Sequence, residues 1–536
     1  MHNNEFEVRI IQDSKQYVLK ARSGRRLKEL ISAAGIFVPY PCGGNGRCGK
    51  CVISFDKGAP TPNDTDKNFL SKEELAGGKR ILCRCVLEKE CVIRLGDETS
   101  REDIAAVSIE TGETDRGISE SEIVADDPKF LGFGVAIDLG TTTIAAALVG
   151  TLADGGKTVV IRTASAVNHQ RNFGFDVISR IEAASDNDKR KELQKTAQCD
   201  IAELLRKLLA GMKIKISGIC IAGNTTMLHL LRGYDVSGLG SFPYRPVTTD
   251  METIEVKDLC GDEGDNELWE SFSDARITVM PGISAFVGAD IVSGIYSLDM
   301  TVDAGQKILF LDLGTNGEMA YFDGKELIVT STAAGPVFEG GGISCGVASV
   351  PGAVSHVTIT GDNPEEYRVS FETIGGMPAI GICGTGVIEA ASELARCGII
   401  DKDGLFAEAF FEKGFVIDKE NDIRITQKDV RNVQLAKAAI RSGMERLLDG
   451  DEPDKVYVAG GFGANLDASK LQSLNLFPEN LLDKIRSVGN TSLKGCVRYL
   501  EEADPDKTEK ITKMAKELTL ALEDGFGEAY IDALGF

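Results

Sequence analysis

Gly134-Val-Ala-Ile-Asp138-Leu-Gly-Thr-Thr-Thr143 returns 174 residues later as Ile308-Leu-Phe-Leu-Asp312-Leu-Gly-Thr-Asn-Gly317. Each copy is an apolar strand that ends in Asp-Leu-Gly-Thr. A buried strand of this kind delivers a carboxylate to its end, where it holds Mg²⁺ directly or through water. The glycine permits a tight turn, so that backbone N–H groups and the hydroxyls of Thr141, Thr142, Thr143 and Thr315 approach phosphate oxygens. Gly140, Gly314, Asn316 and Gly317 complete the two loops. One such loop is a weak signal. Two at the ends of matching strands predict a nucleotide gripped from both sides of a cleft, with Asp138 and Asp312 positioning the metal and the attacking water.

A third glycine loop, Val456-Tyr-Val-Ala-Gly460-Gly461-Phe-Gly463, follows another apolar strand and suits the flat face of an adenosine. Ala334-Gly-Pro-Val-Phe-Glu339 supplies a further carboxylate as a water-orienting group. Ile219–Thr226 and Gly381–Gly386 are additional strand-to-helix glycine turns, the second able to meet an anion through its helix dipole. Thr426 and Asp429 form a capping box before a helix over 427–448, expected to pack beneath the adenosine loop. No Walker A lysine pattern and no GxGxxG opening a Rossmann unit is present. The order of two phosphate loops and an adenosine loop resembles the actin, sugar-kinase and chaperone ATPase superfamily. That likeness implies an α/β actin-like ATPase with two RNase H-like subdomains, binding ATP with Mg²⁺.

A second chemistry sits near the start of the chain. Pro41-Cys42-Gly-Gly-Asn-Gly-Arg-Cys48-Gly-Lys-Cys51 is followed after 31 residues by Cys83. Three close cysteines and one distant one, on a glycine-rich loop that aims N–H groups at sulfur, match a [2Fe–2S] ferredoxin. The five-residue first gap resembles the adrenodoxin-like branch rather than the plant pattern. Zinc prefers paired CxxC knuckles, and only Cys48/Cys51 makes one. Cys85 shares the face of Cys83 at period two and competes as a ligand; a spare buried thiol is the favoured reading. Cys91 reads as a small core residue. Alternation at Val8, Ile10 and at Tyr17, Leu19, a helix over Leu27–Ala34, and strands Val52–Phe55 and Cys91–Leu95 make residues 1–96 an α+β ferredoxin (β-grasp) domain.

Residues 97–131 are an acidic linker, with Glu102, Asp103, Glu110 and Glu113 among its charges, and 132–536 are the ATPase, in lobes of roughly 132–300 and 301–536. The 536-residue chain carries a net charge of −23, which argues against a nucleic-acid binder. The start lacks the apolar core of a signal peptide, and the apolar run near 132–150 is broken by Asp138 and the threonines. No membrane partner and a cytoplasmic location are the expectations. Four scattered histidines exclude a histidine metal cluster, His229 reads as a core residue, and there is no GxSxG elbow. Cys345 and Cys383 read as packing residues.

A ferredoxin head joined to an actin-like body, with AIDLGTTTIAAALV (136–149), GNTTMLHLL (223–231), PGISAFVGADI (281–291), DLGTNGEMA (312–320), AAGPVFEGGGI (333–343) and VAGGFG (458–463), resembles the reductive activators of corrinoid-dependent methyltransferase systems. The departure is the short stretch between head and body. The resemblance implies that Cys42, Cys48, Cys51 and Cys83 hold the cluster and that one electron passes, with ATP hydrolysis, to an inactive Co(II) corrinoid protein to restore Co(I). It implies a low-potential donor such as ferredoxin or flavodoxin upstream, and it allows a homodimer. Two other classes stay open: an ATP-dependent donor to another low-potential metalloenzyme, like the dehydratase activators, and a nucleotide-binding scaffold without turnover.

Overall fold

The computed structural model describes residues 5–12, 15–34, 36, 38, 46, 49, 51–95, 128–261, 270–302, 305–361, 363, 366–460 and 468–536. Cys42, Cys48, Gly461 and Gly463 lie outside the described residues.

The head is one five-stranded sheet: β1 (Glu5–Gln12), β2 (Lys15–Arg22), β3 (Val52–Lys57), β4 (Lys79–Ile81) and β5 (Cys91–Leu95), in the order β2-β1-β5-β3-β4. β1 and β2 form an antiparallel hairpin, and β1 runs parallel to β5. Helix Leu27–Ala33 buries Leu27, Leu30 and Ile31 against Val8, Ile10 and Ile93, which is the α+β ferredoxin arrangement. Two short helices, Asp64–Phe69 and Lys72–Ala76, were not anticipated. Their signals were present: Asn63 with Asp66 and Ser71 with Glu74 make two capping boxes.

The body holds two sheets of the same design. The first contains β6 (Phe130–Leu139), β7 (Thr143–Leu152), β8 (Thr158–Val167), β9 (Ile216–Gly223), β10 (Glu252–Ile254) and β11 (Arg276–Val279), in the order β10-β11-β9-β6-β7-β8. In the second half come β12 (Ile308–Leu313), β13 (Gly317–Phe322) and β14 (Leu327–Thr332), then β15 to β19 (Ala353–Thr360, Arg368–Thr373, Gly381–Ile382, Phe415–Asp418, Ile423–Ile425) in two small sheets. β20 (Lys455–Ala459), β21 (Ile485–Gly489) and β22 (Ala515–Glu517) complete the second large sheet, β21-β20-β12-β13-β14-β22. In both, an antiparallel meander of three strands is followed by parallel neighbours of its first strand. Strands buried on both faces read as continuous apolar runs, as β6 and β12 do.

The registers repeat as closely as the sequences. Asp138 lies opposite Ala222 of the parallel strand β9, and Asp312 lies opposite Ala459 of the parallel strand β20. Each aspartate therefore emerges at the same end of its sheet. Helix Gln427–Leu448 begins at the Thr426/Asp429 capping box and packs on β13, β14 and helix Phe526–Asp532.

Two helices cross between the sheets. Ala289–Ser297 and Thr491–Glu502 meet so closely that a Cβ on Gly495 would sit 2.0 Å from the Ser293 carbonyl oxygen, and the Ser293 hydroxyl donates to the Ser492 carbonyl at 2.7 Å. Helix Thr491–Glu502 comes from the last fifth of the chain yet packs on β6 and β9, placing Leu493, Cys496 and Tyr499 in the core of the first sheet. The first turns of this helix pair face the ends of β6 and β12, which is what builds the site.

Candidate nucleotide and cluster sites

Asp138 stands at the end of β6 and accepts hydrogen bonds from Asn490 Nδ2 at 2.8 Å and Ser492 Oγ at 2.7 Å. Asn490 caps the start of helix Thr491–Glu502 by accepting from Leu493 N–H, so one residue opens the helix and orients the carboxylate. Asn224 repeats the device on the other side. It caps helix Thr225–Arg232 and donates to Thr141 Oγ1 at 2.9 Å. The sequence signal for Asn490 and Ser492 is the repeated text Gly223-Asn-Thr-Thr and Gly489-Asn-Thr-Ser.

Glu339 joins the two phosphate loops. Its Oε2 accepts from Thr142 Oγ1 at 3.1 Å and from Thr315 Oγ1 at 2.9 Å, one hydroxyl from each sheet. Arg180 lies fully buried behind the first loop and donates to the carbonyl oxygens of Thr141 at 2.6 Å and Gly174 at 2.9 Å. Gly460 closes the other side: with φ at 98°, its missing Cβ would lie 2.5 Å from the Leu313 carbonyl oxygen and 3.3 Å from Asp312 Oδ1. Only glycine allows the loop after β20 to start this close to the second aspartate.

Asp290, from the first turn of helix Ala289–Ser297, and Glu318, paired with Asp312 across β12 and β13, bring to five the carboxylates around this cleft. Neither was singled out in the sequence. Burial raises all five above the usual carboxylate range. Asp290 is pushed up to about 7 by burial and by Asp138, and Asp312 up to about 8 by burial and by Asp290, Asp138 and Glu339. Ser492 and Asn490 partly offset the rise at Asp138, as Thr315 and Thr142 do at Glu339. A cleft that collects repelling carboxylates suits a divalent cation. Among the described residues no group of three or more His, Cys, Asp or Glu is placed to hold a metal ion alone, so phosphate oxygens and water would complete its shell.

These groups make stability depend on pH. An unfolded carboxylate titrates near 4, so between about pH 4 and pH 8 folded Asp290 and Asp312 bind protons that the unfolded chain has released. The nucleotide-free protein therefore loses stability as pH rises through that window. In a thermal-melt series the gap in Tm between wild type and Asp312→Asn is expected to widen from pH 5 to pH 8; a constant gap would contradict the charge repulsion.

In the head, Cys51 and Cys83 are both buried and their side chains interact. Cys51, the Gly46 N–H, Arg84 and Lys28 pull the Cys83 thiol down to about 7 despite its burial. Gly46 has φ at 73°, and a Cβ there would meet Arg84 Nε at 2.5 Å, so this glycine lets the loop lie against the thiolate side. Burial instead pushes Cys85 up to about 12 and Cys91 up to about 11. The donor set thus fits a thiolate-held cluster at Cys51 and Cys83, whereas burial keeps the Cys85 thiol protonated.

The remaining candidate residues fall elsewhere. His229 is buried, with Nδ1 against the Thr225 carbonyl at 2.7 Å and Nε2 accepting from Val247 N–H at 3.1 Å, a satisfied core histidine. Gly384 opens helix Gly384–Arg396, Cys383 is buried with its thiol on the Val354 carbonyl, and Cys345 is half-buried. No helix among the described residues is long and apolar enough to cross a membrane.

Three family models match consecutive stretches: a 2Fe-2S iron-sulfur cluster binding domain over residues 10–88, the RACo middle region over 133–303, and the C-terminal domain of RACo, the ASKHA domain, over 306–536. The middle region is thus the stretch carrying the first sheet. A protein named corrinoid activation enzyme RamQ from Eubacterium limosum is 30% identical over 434 residues, covering 74% of this chain and 69% of its own. A [Co(II) methylated amine-specific corrinoid protein] reductase from Methanosarcina barkeri is 26% identical, covering 75% and 77%. The solved structure of a reductive activator for corrinoid, iron-sulfur protein superposes with a TM-score of 0.66 at 27% identity, over 99% of this chain and 98% of that one.

Proposed function

Because the chain belongs to the family of reductive activators of corrinoid proteins, we propose that it is an ATP-dependent iron–sulfur reductase that returns a Co(II) corrinoid protein to Co(I). The observation that carries this reading is Glu339, whose carboxylate gathers one threonine from each of two equivalent phosphate loops. Thr142 and Thr315 point their hydroxyls at a single anionic oxygen, the arrangement that a nucleotide phosphate would take over.

The division of labour follows the chain. Residues 1–96 carry the electron, 97–131 tether them, and 132–536 bind and hydrolyse ATP. Cys42, Cys48, Cys51 and Cys83 hold a [2Fe–2S] cluster, which supplies one low-potential electron. Asn490 and Ser492 hold Asp138, and Gly460 abuts Asp312, so that both carboxylates position Mg²⁺ and water at the phosphates. Thr141, Thr142, Thr143, Thr315 and Asn316 contact the phosphates with the backbone of Gly140, Gly314 and Gly317, while Gly460, Gly461 and Gly463 accommodate adenosine. Glu339, released from the threonines when phosphate arrives, orients the attacking water. A ferredoxin- or flavodoxin-like donor recharges the head, a homodimer is compatible with the scheme, and the cytoplasm is its setting.

Magnitude explains the need for ATP. One-electron transfer against a gap of roughly 200 mV costs about 4.6 kcal/mol, at about 59 mV per tenfold. A nucleotide that switches a docked state from 1:99 to 99:1 supplies about 5.5 kcal/mol.

Glu339→Gln tests the water-orienting role. The amide oxygen still accepts from the threonines, but an N–H donor replaces the second carboxylate oxygen that would accept from and orient the water. ATP turnover is expected to fall about 10²- to 10⁴-fold, with nucleotide affinity equal or tighter. Unchanged turnover in a phosphate-release assay would remove Glu339 from the chemistry.

A further inference from the structure

We propose that the exposed aromatic face formed by Phe242, Tyr244 and Phe286 is the surface on which the Co(II) corrinoid protein docks; this rests on the activator reading above. Phe242 is 82% exposed, Tyr244 41% and Phe286 44%. Their rings stack edge to face, Phe242 on Tyr244 at 6.2 Å and Tyr244 on Phe286 at 5.0 Å. Val247 and Ile178 are 57% and 63% exposed. Ile178 belongs to helix Val177–Ala184, whose Ile181 lies against Gly240, two residues before Phe242.

The face is built rather than floppy. Ser284 Oγ accepts from the N–H groups of Phe286 and Val287, and its carbonyl accepts from Thr225 Oγ1 at 2.6 Å. Tyr244 is held at φ 54°, and its N–H donates to the Ser241 carbonyl at 2.8 Å. Rings fixed in advance bind at low entropic cost.

Size identifies the kind of partner. At 150–250 Å² per aromatic side chain, the three rings expose on the order of 300 Å². That lies within the range of patches that mark function on a monomer, yet well under the roughly 800 Å² per partner of a stable interface. A permanent second copy of the chain needs more. Phe242 also stays exposed with the chain's own head present. Small interfaces belong to transient redox encounters, and the transient acceptor in the proposed reaction is the corrinoid protein.

Position ties the face to the nucleotide by two routes. On the helix of Ile178, Arg180 donates to the Thr141 carbonyl in the first phosphate loop at 2.6 Å. On the other side, Phe286 precedes Gly288, where a Cβ would lie 2.6 Å from Thr225 N, beside the Asn224 that holds Thr141; Asp290 follows two residues later. Ser284 Oγ also donates to Glu517 Oε1 at 2.7 Å, from the first sheet's loops to β22 of the second. A nucleotide that shifts one lobe against the other moves these rings, and a partner that grips them biases nucleotide binding by the same factor.

The test uses full-length, cluster-loaded protein, a Co(II) corrinoid protein, and MgATP. The wild-type arm comes first: if the Co(II) EPR signal persists with every corrinoid protein tried, the activator reading fails and this proposal falls with it. Where wild type activates, Phe242→Ser/Phe286→Ser is expected to bind that corrinoid protein at least tenfold more weakly by calorimetry. Its activation is expected to recover at high partner concentration, with partner-free ATP hydrolysis and Tm unchanged. Leu522→Ser, at a side chain 77% exposed elsewhere, is expected to change nothing. Unchanged affinity in the double variant overturns the proposal. So does a shift from dimer to monomer by light scattering with corrinoid affinity intact, which would assign the face to a second copy.

Discussion

Asp312→Asn yields a more stable protein that no longer activates its partner. Asp312 is crowded by Asp290, Asp138 and Glu339, and its carboxyl is pushed up to about 8. Asparagine keeps the shape on β12 and removes a group that must take up a proton on folding at pH 7, so the nucleotide-free protein is expected to gain roughly 2–4 kcal/mol, a few units of pKa at about 1.4 kcal/mol each. The carboxylate's task is to hold Mg²⁺ and water against the phosphates, and metal positioning of this kind accounts for several kcal/mol of the barrier. ATP hydrolysis is expected to drop at least about 10³-fold, and ATP-dependent activation to disappear. The cluster spectrum is expected to be that of wild type, because Cys51 and Cys83 belong to the separate packing cluster of the head. Stability up and activity lost is the signature of charge held in place for function. Surviving activation would show that the second loop is not where the metal is positioned.

The second large effect separates two cysteines two residues apart. Cys83→Ser is expected to purify without the cluster's visible absorption and without activation, while ATP hydrolysis persists. Cys85→Ser is expected to keep about two irons per chain and full activity. The reason is local. Cys83 lies on the short turn Leu82–Arg84 that follows β4, with its thiol drawn down toward the thiolate by Cys51, Gly46 N–H, Arg84 and Lys28. Cys85 is 2% exposed, and burial together with Asp66 pushes its thiol up to about 12. A thiol that resists ionisation is a poor cluster ligand. Loss of iron in Cys85→Ser with retention in Cys83→Ser would invert the assignment.

What could be read in the sequence was what lies within one strand and its turn. Asp138 and Asp312 were legible because a buried run ending in Asp-Leu-Gly-Thr is contiguous, and its repetition is visible without a structure. The capping box at Thr426 was legible for the same reason. Asp290, Glu318, Arg180 and Asn490 were not, because their roles arise from packing between distant elements: Asn490 reaches Asp138 across 352 residues of chain. Period two put Cys83 and Cys85 on one face of a strand, whereas a short turn interrupts that strand and gives the two thiols different surroundings. A linear reading could not show that helix Thr491–Glu502 returns to the first sheet.

The most direct measurement is the Co(II) EPR signal of a corrinoid protein, held anaerobically with the reduced, cluster-loaded protein, with and without MgATP. An ATP-dependent activator removes the signal only when MgATP is present, and Asp312→Asn leaves it in place under both conditions. A signal that persists while the cluster is reduced and ATP is being hydrolysed would contradict corrinoid activation and send the electron to another low-potential centre.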